Sequence, residues 1–392
     1  MGNCCIKISL RRNLFYLLQV VIYYYLRKIV LIVINQLYKF HDSLIFTFLM
    51  LLGEFFAGVS IHLYQTFFFE KKNNNKKTKY FGINLIRKEY KMKGPDSNYK
   101  ILLLIFFTAF YDFMEFVIDT FYLPKFANLS QTITLRLSGV VIIFSALLCH
   151  FNLRMRILKH QNFSLIGIGI CSILIIFFEI FFVGKEMSFG DIFFSYFLVL
   201  LFVIFITFTD VVEKYLLEFD FMSPFITLIF ESIFGLILVS IYSFGENPFK
   251  DVIRLYSECS TGYFILLIFL LFLYFALSAG VNVYKLLSNV LYSPMAKTLA
   301  AYILNPFFYC YYYINEDDFI SNGKKNFWFF IINVILAIII SFFATVYNEF
   351  LVLTFCGLDD ETHYQVSMRA ITSESINLYL ELKELEDNDG DD

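Results

Sequence analysis

Carboxylates and cations stand at helical spacing inside runs that are otherwise apolar, and these are the residues of this chain that can do chemistry. Asp112, Glu115 and Asp119 follow one another at i, i+3 and i+7, so they share a stripe if the segment is a helix. Asp112 lies deepest in its run and requires a partner or a proton there; an ion pair with Arg136 or Lys28 is the structural alternative to a transport role. Glu54 stands in LGEFFAG and Glu231 in FESIFG, each followed four residues later by glycine. Such acids carry protons or gate a solute, or else they hydrogen-bond neighbouring helices. Arg136 falls on one helical face with Thr132 and Gly139 in the run Ser130–Leu148. A guanidinium facing lipid costs a few kcal/mol or more, so that face should look onto protein or water. Lys297 follows Ser293-Pro294 by the length of one helical turn, where its charge would add to the positive end of a helix and suit phosphate. Lys28, Lys214 and Asn282 complete the set of polar groups inside apolar segments, and the Asn305-Pro306 step breaks a helix.

Those residues need elements that hold them in an apolar surround. The chain has 392 residues, 59% hydrophobic and 17% charged, with mean hydropathy +0.67. That is too little charge to coat a soluble core. Runs of about 20 apolar residues span a bilayer. Ten are present, over 14–35, 43–68, 101–122, 131–150, 163–183, 190–212, 222–243, 262–284, 293–314 and 327–355. Arg11 and Arg12 ahead of the first run resemble the start of a signal peptide, but no small-residue cleavage site follows, so that run is read as a membrane helix.

Loop charges orient the bundle. With the N-terminus cytosolic, the cytosolic segments hold eighteen Lys and Arg, counting Lys214 and Lys285, against seven on the other side. Both termini are therefore expected in the cytosol. The chain divides into a short tail (1–13), a first helical half (14–183) with a basic cytosolic loop (70–100), a second half (190–355) and a tail (356–392). From Asp359 onward that tail carries eleven acids against Arg369 and Lys383. The lysine-rich loop could meet anionic lipid headgroups, but such runs more often serve only as a positive-inside signal. Seven scattered cysteines form neither a disulfide framework nor a metal spacing. Cys4 and Cys5 offer acylation sites, although Ile6 breaks the myristoylation pattern.

The two Glu-x-x-x-Gly motifs fall on the second and seventh runs. Lys28 and Lys214 fall on the first and sixth, and Arg136 and Lys297 on the fourth and ninth. Three matches in register point to two five-helix repeats, the second inverted because each holds an odd number of spans. The expected fold is an all-α membrane protein whose ten helices surround a central polar cavity.

The chain resembles the drug/metabolite transporter superfamily, within it the nucleotide-sugar-transporter-like solute carrier family 35. Gly53-Glu54-Phe55 is similar to the Phe-Leu-Gly-Glu entry of one branch, and Ala109 with Asp112 to its Pro-Ala-x-x-Asp without the proline. Leu137-Ser138-Gly139 to Phe144, Glu213-Lys214, and Glu231 to Gly235 follow in the same order. Ser138 stands where the branch has arginine, and Arg136 is about 200° away around a helix. The GDP-mannose signatures are missing. The resemblance implies alternating-access transport of an anionic nucleotide sugar or related metabolite in Golgi or another endomembrane, without a cofactor. Lys297, Arg136, Lys28, Lys214 and Asn282 would bind solute, and Glu54, Glu231, Asp112 and Glu115 would couple or gate. Its partners are the solute and the bilayer, with a homodimer allowed and no nucleic acid. A non-transporting membrane scaffold is the alternative. An intramembrane enzyme ranks lower: Tyr111-Asp112 and Gly190-Asp191 resemble an aspartyl protease pair, but Ser188 replaces the first glycine and no Pro-Ala-Leu, zinc or serine motif follows.

Overall fold

The computed structural model describes residues 6–8, 14–38, 43–70, 97–118, 137–182, 189–220, 222–244, 250–291, 298–299, 303–315, 320–321, 324–354, 356–362 and 365. Arg136, Lys297, Asp119, the basic loop beyond Glu70 and most of the acidic tail lie outside the described residues. Helices dominate: α1 (Leu14–Tyr38), α2 (Ser43–Glu70), α3 (Asn98–Val117), α4 (Ser138–Asn152), α5 (Lys159–Phe182) and α6 (Phe189–Glu218). The remainder are α7 (Pro224–Ser243), α8 (Lys250–Glu258), α9 (Thr261–Leu291), α10 (Asn305–Asn315) and α11 (Phe327–Tyr347).

Seven of these, α1, α2, α5, α6, α7, α9 and α11, are long and apolar enough to cross a membrane. The protein is an all-α multi-pass membrane protein on that evidence. Among the described residues α3 carries Lys100, Asp112 and Glu115 within its length, and α4 and α10 are shorter than a span. Large apolar side chains such as Phe193, Phe272 and Trp328 face outward. Small and polar ones, Thr108, Ser145, Ser172, Thr207 and Ser278, face inward, the arrangement expected when lipid is the solvent.

Local chemistry sets several helix starts. The Ser97 hydroxyl accepts from the Lys100 N–H at the head of α3, and the Asn326 Oδ1 accepts from the Phe329 N–H at the head of α11. Pro224 opens α7, where its missing N–H costs nothing. The Asn305-Pro306 step is likewise a start rather than an interior kink, with a turn at Ile303–Leu304 leading into α10.

Three boundaries and one added helix differ from the hydropathy reading. Helix α6 runs on to Glu218 and α9 to Leu291, so Lys214 and Lys285, counted with the cytosolic segments, sit within helices. Helix α11 stops at Tyr347 instead of continuing toward residue 355, because Asn348 donates its Nδ2–H to the Ala344 carbonyl and Glu349 takes φ +59°. The short helix α8 lies between α7 and α9, burying Leu255 while exposing Ile253 and Tyr256.

Two short strands tie the ends of the chain together. β1 (Ile6–Ile8) pairs antiparallel with β4 (Leu351–Leu353), while β2 (Ile320–Ser321) and β3 (Lys324–Lys325) make a small hairpin. The β1–β4 pairing places the segment before α1 and the segment after α11 on one face of the bundle. Nearby, Arg156 pairs with Glu361 at 3.0 Å and the Lys159 N–H donates to the same carboxylate. Buried His160 lies 3.5 Å from Glu349.

Within the bundle α2 crosses α7, and both pack on α3 and α9, as side chains and glycines record. A Cβ at Gly58 would meet Ile229 and Phe225, and one at Gly235 would meet Leu51. These contacts run α2 and α7 antiparallel and bring Glu54 and Glu231 to the same level. Helix α9 runs parallel to α2, with Phe46 against Tyr274 and Glu54 against Asn282; α7 runs parallel to α3, with Phe106 against Phe234 and Phe113 against Tyr242.

Candidate functional site

The α2–α7 crossing concentrates buried carboxylates. Glu54 and Glu231 are 8% and 5% exposed, placed there because Gly53, Gly58 and Gly235 let the backbones approach. Asn282 on α9 donates its Nδ2–H to Glu54 Oε1. Asp112, Lys285, Glu213 and Arg27 act on Glu54 electrostatically, and Glu213, Asp112 and Glu54 act on Glu231. Glu231 is hydrogen-bonded to the Thr108 hydroxyl on α3, which in turn donates to the Ile105 carbonyl at 2.7 Å. A small cavity of about 30 Å³ opens between α2, α3 and α7, lined by Asp112, Glu231, Thr47, Met50 and Gly235 among others. That volume holds about two waters.

One shell further on, Glu213 Oε2 accepts from Asn289 Nδ2 at 2.6 Å. Lys214, 4% exposed, donates to the Asn289 carbonyl at 2.8 Å and pairs with Glu218. Asn289 therefore satisfies an acid and a base from adjacent positions of α6. Replacing it by leucine takes this donor away from Glu213. The loss of a hydrogen bond to a charged group costs about 2 kcal/mol, so Asn289→Leu is expected to lower the melting temperature of the purified protein, while Ser257→Leu on exposed α8 leaves it in place.

The structure therefore brings together Glu54, Glu231, Asp112 and Asn282, all legible as candidates in the sequence. It puts Lys28 elsewhere, at the seam of α1 and α10, with its ammonium 4.3 Å from the Phe308 ring centroid and 5.7 Å from that of Tyr312. Tyr25 stacks on Phe308 beside it and accepts from the Leu304 N–H. Lys214, expected among the solute-binding residues, is held by Glu218 and the Asn289 carbonyl. Glu115 lies half-buried on α3. Thr108, Glu213, Asn289 and Lys285 were not singled out as site residues. The parallel Glu-x-x-x-Gly motifs do point to the crossing, but nothing in the sequence marks which residues of α3, α6 and α9 face it.

The chain matches no known protein family. No characterised relative matches it either. Among the described residues no group of three or more His, Cys, Asp or Glu side chains is arranged to hold a metal ion. The arrangement suits proton binding in an apolar bundle: carboxylates meet at a helix crossing, with amide and hydroxyl partners and room for water.

Proposed function

We propose that this protein is a carrier that moves a small polar solute by alternating access between two five-helix repeats, α1–α5 and α6, α7, α9, α10, α11. The observation that carries this reading is the reciprocity of the packing. Exchanging the two sets turns α1 on α9 into α6 on α3, α2 on α9 into α7 on α3, and α4 on α5 into α10 on α11. The α4–α6 contact becomes the Tyr25–Phe308 seam of α1 and α10, and the α2–α7 and α5–α11 pairs return to themselves. Helix directions follow the same rule. Tyr23 on Gly280 and Tyr38 on Tyr263 make α1 and α9 antiparallel, as Tyr111 on Phe205 and Lys100 over Tyr215 do for α3 and α6. The exchange also carries Glu54 and its α9 partner Asn282 onto Glu231 and its α3 partner Thr108. Bundles built this way rock one repeat against the other around a central site.

An anionic nucleotide sugar or a related metabolite is the proposed solute, as the family resemblance implies, with endomembrane as the proposed location. Exchange of labelled nucleotide conjugates by the purified protein in liposomes tests it. Uptake of such a conjugate supports the reading, and a panel of anionic, neutral and cationic solutes without any counterflow favours the scaffold alternative.

The β1–β4 pairing supports an even number of spans, and the loop charges support cytosolic termini. Removing Lys214 and Lys285 from the loop count leaves that bias with the same sign. Tags on the two ends are expected to be cleaved together by protease added to the cytosolic face of sealed vesicles; protection of one tag alone rules out this topology.

A further inference from the structure

We propose, resting on the carrier reading, that Glu54 and Glu231 form a proton-binding pair at the α2–α7 crossing, so that a proton travels with the solute. The charges around the pair come from every helix packed against it. Glu54 lies on α2 and Glu231 on α7; Asp112 on α3 and Glu213 on α6 act on both electrostatically, and Lys285 on α9 and Arg27 on α1 act on Glu54. Four carboxylates thus meet two cations among the described residues. An anionic solute brought to this centre is repelled until carboxylates are neutralised, and a proton does that without adding bulk.

The geometry at Glu231 singles it out. Its side chain is 5% exposed, it lines the cavity beside Asp112, and its Oε1 has no hydrogen-bond partner among the described residues. The Thr108 hydroxyl reaches both the Ile105 carbonyl and the Glu231 carboxyl. That leaves Oε1 as the carboxyl oxygen of Glu231 open to a proton. Glu54 Oε1 accepts instead from the Asn282 amide. Glu231 thus has a carboxyl oxygen open to a proton, while an oxygen of Glu54 is taken by an amide donor. In the proposed cycle a proton that enters on Glu231 through the cavity water leaves from the opposite side after the repeats rock, and none is created or lost.

Dicyclohexylcarbodiimide tests this without any solute, because it modifies protonated carboxyl groups in apolar surroundings. The full-length protein in detergent is treated across a pH series, and the modified residues are mapped by mass spectrometry. Expected is modification of Glu231 that is strong in acid and lost at alkaline pH, with half-buried Glu115 unmodified. Glu231→Gln should remove the titrating carboxylic-acid carbonyl band from the infrared spectrum, and Glu115→Gln should leave it. Modification of Glu231 that does not change with pH, its absence in folded protein, or an infrared band retained in Glu231→Gln each overturns the proposal. Protection by sodium at constant pH overturns it in favour of a metal-cation site. Because labelling reads the proton alone, a protein that labels as expected yet moves no conjugate refutes the carrier reading and leaves the proton site standing.

Discussion

Gly53→Leu is expected to yield no folded, monodisperse protein in detergent. Gly53 on α2 faces α9 so closely that even a Cβ would lie 2.8 Å from the Phe275 carbonyl oxygen and 3.2 Å from the Ala279 nitrogen. These are backbone atoms, which cannot rotate aside as the Leu51 side chain can near Gly235. Overpacking of this kind costs about 1–3 kcal/mol for a methylene or two, and a leucine adds more. The milder Gly53→Ala gains about 1 kcal/mol of helix propensity and loses more to the clash, so it should melt below the parent. Gly262→Ala, with nothing within 4 Å of the added Cβ, is the control and should melt at or above the parent. Thermal unfolding followed by size-exclusion chromatography reads all three; an unchanged Gly53→Leu profile means that α2 and α9 do not meet as described.

Lys297→Ala is expected to abolish uptake of nucleotide conjugates while leaving the protein folded. Lys297 follows Ser293-Pro294, and a diphosphate near the membrane midplane needs basic partners once it leaves water. Coulomb attraction between unit charges 4 Å apart is about 4 kcal/mol at an effective dielectric near 20, enough for one side chain to decide binding. At this centre the demand is sharper, because the described groups nearest the α2–α7 crossing are mostly acidic. Lys297→Arg should retain part of the uptake, since charge survives while reach and geometry change. Arg136→Ala should impair uptake as well. If Arg136 serves mainly as the counter-ion of Asp112, the double variant with Asp112→Ala should restore the folding lost in either single one. Uptake of anionic conjugates by Lys297→Ala at the parent rate would remove Lys297 as a phosphate anchor and favour a neutral or cationic solute.

The sequence alone determined that this is a helical membrane protein, because long apolar runs leave helices as the economical way to satisfy the backbone in lipid. It also singled out Glu54 and Glu231, through two Glu-x-x-x-Gly motifs, and the structure places both at the α2–α7 crossing. Hydropathy placed α1, α2, α5 and α7 to within a few residues. It cut α6 and α9 short, because a charge ends an apolar run on paper. In three dimensions Lys214 is paid for by Glu218 and the Asn289 carbonyl, so the helix continues through it. Only the tertiary structure decided which polar groups meet. Asn282 on Glu54, Thr108 on Glu231 and Asn289 on Glu213 join residues more than seventy positions apart, and helical periodicity fixes a residue's face but not its neighbour. The same holds for β1 on β4, where Ile6–Ile8 finds its partner at the far end of the chain. A short strand of three residues carries no local signal strong enough to name a partner, since its pairing energy exists only once the bundle between the two ends has closed.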